Sequence, residues 1–89
     1  MKRFRYLISG RVQGVCFRYF TKEEAQRLGL RGWVRNLTTG QVEAEVQGDE
    51  SILIKMNKVL RQGPAMAKVS EVNSNEILLQ EDEGDFYIC

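Results

Sequence analysis

Gly10-Arg11-Val12-Gln13-Gly14-Val15-Cys16-Phe17-Arg18 puts a glycine-bearing loop directly ahead of a helical pattern, a placement that can hold an oxyanion. Backbone N–H groups at a helix start have no intrahelical partner and sit at the positive end of the helix dipole. Gly14 permits conformations that turn successive N–H groups inward. Arg18 adds a permanent charge with a planar fork of donors matched to phosphate or carboxylate oxygens. Phosphate is the better match, because its three oxygens can use many donors. Taken alone, the same loop is also a structural turn followed by a surface arginine. No G-x-x-x-x-G-K-[ST] string occurs, so a nucleoside triphosphate with magnesium is not indicated. Cys16 stands two positions before Arg18, whereas a cysteine-based phosphate loop wraps several residues between thiol and arginine so that both reach one phosphate. A packed or half-exposed thiol is therefore the plainer reading of Cys16.

The second candidate is Asn36, at the end of Gly32-Trp33-Val34-Arg35-Asn36. Its carboxamide can both donate and accept hydrogen bonds. An asparagine just after a strand is also commonly a turn residue that caps its own backbone. Asn36-Leu37-Thr38 spells a glycosylation acceptor, but no export signal accompanies it. The chain contains no histidine, which removes the commonest general base and the usual ligand of catalytic zinc. Ser-His-Asp, haem and zinc enzymes are thereby disfavoured, and catalysis must use other groups or borrow a base from the substrate.

The elements that must position these residues can be read from periodicity. Phe4, Tyr6 and Ile8 alternate with Arg5, Leu7 and Ser9, the pattern of a strand with one face on a core. Tyr19 to Leu28 predicts a helix, with Phe20, Ala25 and Leu28 on its buried side, and Gly29 stops it. Leu30 to Val34 begins a second strand that ends near Asn36, and Thr38-Thr39-Gly40 predicts a hairpin turn. Val42, Ala44 and Val46 alternate with Glu43, Glu45 and Gln47, a third strand whose acidic residues are expected to face water. Asp49 is placed to cap a second helix with the stripe Ile52, Met56, Val59 and Leu60, ended by Gly63-Pro64. Val69 and Val72 mark a fourth strand whose spacing of three suggests a bulge. Glu81 to Asp85 reads as an acidic loop, and Phe86 to Cys89 as a short terminal strand. The order strand, helix, strand, strand, helix, strand predicts an α+β fold, the ferredoxin-like βαββαβ sandwich, with a mainly antiparallel sheet and two helices on one face.

Eighty-nine residues suit a single domain spanning 1–89. The formal net charge of +1 creates no overall field that would recruit nucleic acid, and the positive residues are spread along the chain. No segment approaches the roughly 20 apolar residues needed to cross a membrane, and the basic start is followed by strand alternation rather than an apolar leader. A cytoplasmic monomer that binds neither nucleic acid nor membrane is expected. Cys16 and Cys89 are too far apart in sequence to form a metal knuckle.

Gly10 to Arg18 resembles the acylphosphatase signature, usually seen as G-R-V-Q-G-V-x-F-R, and Gly32 to Asn36 resembles the same family's G-W-V-[RK]-N at the expected interval. Leu28-Gly29-Leu30, Gly40-Gln41-Val42-Glu43 and Gly63-Pro64 also fall where relatives have similar strings, so the likeness spans nearly the whole chain. The resemblance implies a phosphate held by the backbone N–H groups of the loop at Gly14, Val15, Cys16, Phe17 and Arg18, and by the Arg18 guanidinium, with Asn36 holding the attacking water. It implies hydrolysis of the mixed anhydride of an acyl phosphate to carboxylate and inorganic phosphate, which is then product or inhibitor. No metal or cofactor is required in that scheme, and the substrate's own phosphate serves as base. Cys16 replaces a frequent glycine of the pattern, and Thr38-Thr39-Gly40 lacks the common Asp-Gly or Asn-Gly turn. Related domains occur inside larger maturation proteins acting on carbamoyl phosphate, but this chain is expected to be free-standing.

Two other classes compete. A binding module could keep the phosphate cradle without turnover, although the presence of both Arg18 and Asn36 argues against it. RNA-recognition modules share the architecture and stack bases on sheet aromatics, but the K/R-G-F/Y-G/A-F-V-x-F/Y string is missing here.

Overall fold

Alternation along β1 (Lys2–Arg11) divides its side chains between two surfaces: Tyr6 and Ile8 enter the core, while Arg3, Arg5 and Leu7 face the other way. The computed structural model describes residues 1–81 and 84–89. In these residues β1 is followed by α1 (Phe17–Arg27), β2 (Arg31–Asn36), β3 (Val42–Gly48), α2 (Glu50–Gln62), β4 (Lys68–Ile77) and β5 (Phe86–Ile88). The sheet order is β4-β1-β3-β2-β5, antiparallel throughout except for the parallel pair β2 and β5. This is the ferredoxin-like βαββαβ arrangement, with β5 added beside β2. Tyr6, Ile8, Val34, Val42, Ala44 and Val46 from the sheet join Phe17, Ala25, Leu53, Met56 and Leu60 from the helices in one core cluster.

The helices differ from their sequence reading in phase. Helix α1 begins at Phe17, two residues before the Tyr19 expected, and buries Phe17, Thr21 and Ala25. Phe20 is only half-buried and meets Phe17 edge-on, with centroids 5.9 Å apart. Thr21 is tolerated in the core because its hydroxyl donates to the Phe17 carbonyl at 2.8 Å. In α2 the inner stripe is Leu53, Met56 and Leu60, with Ile52 and Val59 half-buried on its flanks. Asp49 holds the N-cap position, but its side chain makes no capping bond; its main-chain oxygen accepts from Ile52 and Leu53. The helix stops at Gln62, and the Gly63 N–H closes its end on the Val59 carbonyl at 2.9 Å. The bulge expected in β4 lies opposite Ser9 and Gly10, which pair with Glu71 and Val69 and skip Ser70. Of the acidic stretch 81–85, the two central residues lie outside the described set; Asp85 accepts from the Phe86 N–H at 2.7 Å and from Gln26 at 3.1 Å.

The largest correction concerns β3. Glu43 does not face water: it is 4 % exposed, and Glu45 is only half-exposed. The reason is that β3 is the central strand, and its neighbours supply arginines across the ladder. Arg35 of β2 is paired with Glu43 in register, Arg5 of β1 lies diagonally across, opposite Glu45, and each arginine donates to the Glu43 carboxylate. Arg35 also lies over the Trp33 ring, 5.1 Å from its centroid. Arg3, fully buried, donates to Glu45 at 2.9 Å and to Gln47 at 3.3 Å. Gln47 in turn clamps the connection from β4 to β5, donating to the Gln80 carbonyl and accepting from its N–H, both at 2.9 Å.

Burial pushes the Glu43 carboxyl up, but the hydrogen bonds and charges of Arg5 and Arg35 outweigh it and hold the group below its ordinary 4.5. A lowered folded value makes the ionised form a source of stability that is complete above 4.5 and disappears as the pH falls through the folded value. Glu43→Gln is expected to cost about 2 kcal/mol at neutral pH, because the carboxamide removes the negative charge shared by two half-exposed arginines and replaces one of the two acceptor oxygens with a donor. Urea denaturation across pH tests this. The gap between the two proteins should narrow in acid, and a gap that stays constant down to the lowest pH at which both fold would rule the assignment out.

Candidate active site

Three buried side chains pin the loop between β1 and α1. Val12, Val15 and Phe17 are 8 % exposed or less, while Gly14, Cys16 and Arg18 between them stand at the surface. The chain manages this alternation in so few residues by taking left-handed backbone at two of them, Gly14 (φ 75°) and Cys16 (φ 64°). That conformation costs glycine nothing and is uncommon for cysteine, so the Cys16 backbone is held there by its anchored neighbours. The Cys16 carbonyl accepts the first helical bond, from the Phe20 N–H at 3.0 Å, which leaves the N–H groups of the first turn without helical partners. No acidic residue occupies that turn.

Strand β2 brings Asn36 to the same place. Pairing with Val42 fixes its position at the turn end of the hairpin, where the Leu37 N–H donates to the Gln41 carbonyl at 2.8 Å. Gln13 joins the two segments: its side-chain amide donates to the carbonyls of Leu37, at 2.8 Å, and Gln41, at 2.9 Å. Sequence reasoning did not single out Gln13. The available signal was a polar residue lodged between two anchoring valines, which is too common to identify a role.

Arg18 and Asn36, eighteen positions apart in the chain, thus line one pocket of about 430 Å³ together with Val12, Gly14, Cys16, Phe17, Tyr19 and Ile88. Of the loop residues singled out from sequence, Val15 is the one whose side chain turns into the core instead of lining the pocket. Arg18 is exposed, and its Nη1 donates to the main-chain oxygen of Cys89 at 3.3 Å. The Asn36 carboxamide makes no hydrogen bond within the described residues, so it does not serve as a turn cap. Among the residues lining the pocket there is an arginine and no carboxylate. Cys16 and Cys89 are both free and exposed. No group of three or more His, Cys, Asp or Glu residues converges among the described residues, and no helix there is long and apolar enough to span a membrane.

Residues 4–88 match the acylphosphatase family model, a span that includes the loop, Arg18 and Asn36. The chain belongs to the acylphosphatase family. An acylphosphatase of Nitrosococcus oceani is 51 % identical over 77 residues, 86 % of each chain. The crystal structure of acylphosphatase from Bacillus subtilis superposes with a TM-score of 0.95 at 36 % identity, covering 100 % of this chain and 99 % of that one. An acylphosphatase structure from Coxiella burnetii gives 0.94 at 39 % identity, with 99 % and 92 % covered. These acylphosphatases match the βαββαβ sheet as well as the sequence, and they place the chain among hydrolases.

Proposed function

We propose that this acylphosphatase hydrolyses the carboxyl–phosphate anhydride of small acyl phosphates, releasing a carboxylate and inorganic phosphate, without a metal ion. The observation that carries this reading is the meeting of Arg18, Asn36 and the exposed loop backbone around one pocket whose lining residues include no carboxylate side chain. The phosphoryl oxygens accept from the main-chain N–H groups of Gly14 to Arg18 and from the Arg18 fork. Water is held by the Asn36 carboxamide, which is left unbonded by the other described residues. It attacks phosphorus in line, the P–O bond to the acyl oxygen breaks, and the bonding pair leaves with the carboxylate. The water's proton passes to a phosphoryl oxygen of the substrate. A carboxylate needs little protonation to depart, so the absence of histidine is no obstacle. The protein supplies position and charge: Arg18 gains strength as negative charge spreads over the equatorial oxygens.

The chain acts in this reading as a monomeric, cytoplasmic acylphosphatase domain. The test is hydrolysis of benzoyl phosphate with a chelator present, beside p-nitrophenyl phosphate as a poor-leaving-group control. Turnover of the acyl phosphate alone is expected. Asn36→Ala should lower kcat about 10²-fold while inorganic phosphate still binds and inhibits. An Asn36→Ala effect confined to phosphate affinity would remove the water-holding role. Absence of turnover in the unaltered protein, with phosphate still bound, would make the chain a binding module.

A further inference from the structure

The pocket lining is of two chemical kinds. Gly14, Cys16, Arg18 and Asn36 offer polar groups or open backbone, and the remaining lining is Val12, Phe17, Tyr19 and Ile88. Val12 and Phe17 are core residues, each 1 % exposed, whose edges happen to reach the pocket. Tyr19 and Ile88 are not: 59 % and 41 % of their surface is open to solvent. They come from two separate elements. Tyr19 follows Arg18 in the first turn of α1, and Ile88 sits on β5 beside Val34, two positions before Asn36. The Tyr19 hydroxyl makes no hydrogen bond within the described residues, so its polar atom does not explain its place. Two apolar side chains exposed at the mouth of an anion site gain nothing from a phosphate, which needs donors they cannot supply.

The space is also too large for phosphate alone. At ~30 Å³ per water, 430 Å³ would take on the order of fourteen waters, against the five heavy atoms of a phosphate group. In-line displacement sends the leaving group away from the water. With Arg18, Asn36 and the loop N–H groups engaged by phosphoryl oxygens and water, the acyl group has the apolar side chains left to it.

We infer that Tyr19 and Ile88 form an acyl subsite, which makes the enzyme select acyl phosphates whose acyl group is a ring or branched hydrocarbon over those of acetyl size. The inference rests on the hydrolysis proposed above and names its substrate class. A second carboxylate on the acyl chain finds no cation here beyond Arg18, which the phosphate occupies, so dicarboxylic acyl phosphates are disfavoured as well.

The test compares kcat/KM for cyclohexanecarbonyl phosphate and acetyl phosphate, whose acids are nearly equal in strength, so that leaving-group chemistry is matched. The unaltered enzyme is expected to favour the cyclohexyl substrate about tenfold, the low end for hydrophobic discrimination because the pocket is open on one side. Tyr19→Ser and Ile88→Ser should each reduce that ratio about threefold or more, as a contact with several apolar atoms is removed. Tyr19→Phe should preserve it, since the ring and not the hydroxyl makes the contact. Leu78→Ser, an 88 % exposed apolar position outside the pocket, should preserve it too. General damage to the active site affects both substrates and cancels in the ratio. Hydrolysis of both substrates with no preference, or with a preference that survives both serine variants, overturns the subsite and leaves the activity standing. Hydrolysis of neither overturns the activity, and the subsite with it.

Discussion

Arg18→Ala is expected to reduce kcat about 10²- to 10³-fold, the ~2.7–4 kcal/mol typical of a lost oxyanion donor. It should also weaken inhibition by inorganic phosphate, because the same guanidinium holds the ground-state anion in the proposed mechanism. Arg18→Lys separates charge from geometry. Lysine restores a cation but not a planar pair of donors, so it should recover phosphate affinity better than turnover. A lysine variant with nearly full kcat would mean that a point charge suffices and that the fork is not used. The fold should survive either change, since Arg18 is exposed and its one contact within the described residues is the 3.3 Å bond to the Cys89 main-chain oxygen. Unfolding curves that shift by less than about 1 kcal/mol would show that lost activity comes from the site and not from the fold.

Gly32→Ala is expected to have the largest effect on stability. Gly32 has φ 144°, and a Cβ built there would lie 1.8 Å from the Glu45 carbonyl oxygen of the neighbouring strand. The obstacle is main chain in the middle of the sheet, paired through Val46, so it cannot swing aside as a side-chain tip would. Relieving the clash requires β2 to move away from β3, which displaces Asn36 at the far end of the same strand. Strain and overpacking together should cost about 3 kcal/mol or more. Gly29→Ala provides the comparison: its φ of 73° also disfavours alanine, but nothing lies within 4 Å of the added methyl. Its cost should be about 1 kcal/mol. Equal losses for the two variants in urea denaturation would show that backbone conformation, and not the strand-to-strand clash, sets the requirement for glycine.

The two strings assigned the chemistry in the proposed function were legible because each is contiguous. The loop from Gly10 to Arg18 needs only its own glycines, its anchors and the helix that follows, and all of these are neighbours in sequence. The meaning of Asn36 was less accessible. Its residue type and its place after a strand fit a turn cap as well as a water ligand, and the choice depends on whether the carboxamide finds a local partner. In the structure it finds none among the described residues, because the hairpin is closed by main-chain bonds at Leu37 and Gln41 and by the Gln13 amide. Ile88 could not be tied to the site at all from sequence, since its proximity to Arg18 and Asn36 follows from β5 joining β2 in parallel, a long-range choice.

Periodicity and turn chemistry in the sequence by itself determined the order of elements, the position of the bulge near Ser70 and the ends of both helices to within two residues. These depend on local forces: alternation, capping and backbone freedom operate over a few residues. Tertiary structure decided what depends on neighbours from elsewhere in the chain. It made β3 the central strand, so that Glu43 lies beneath two arginines although its sequence reads as a solvent-facing acid. It set the phase of α1, because Phe17 and not Phe20 meets the core. It also joined a loop, a strand end and a terminal strand around one pocket, since the register of β2 on β3 and of β5 on β2 fixes how far Asn36 and Ile88 lie from Arg18, and no local pattern encodes that distance.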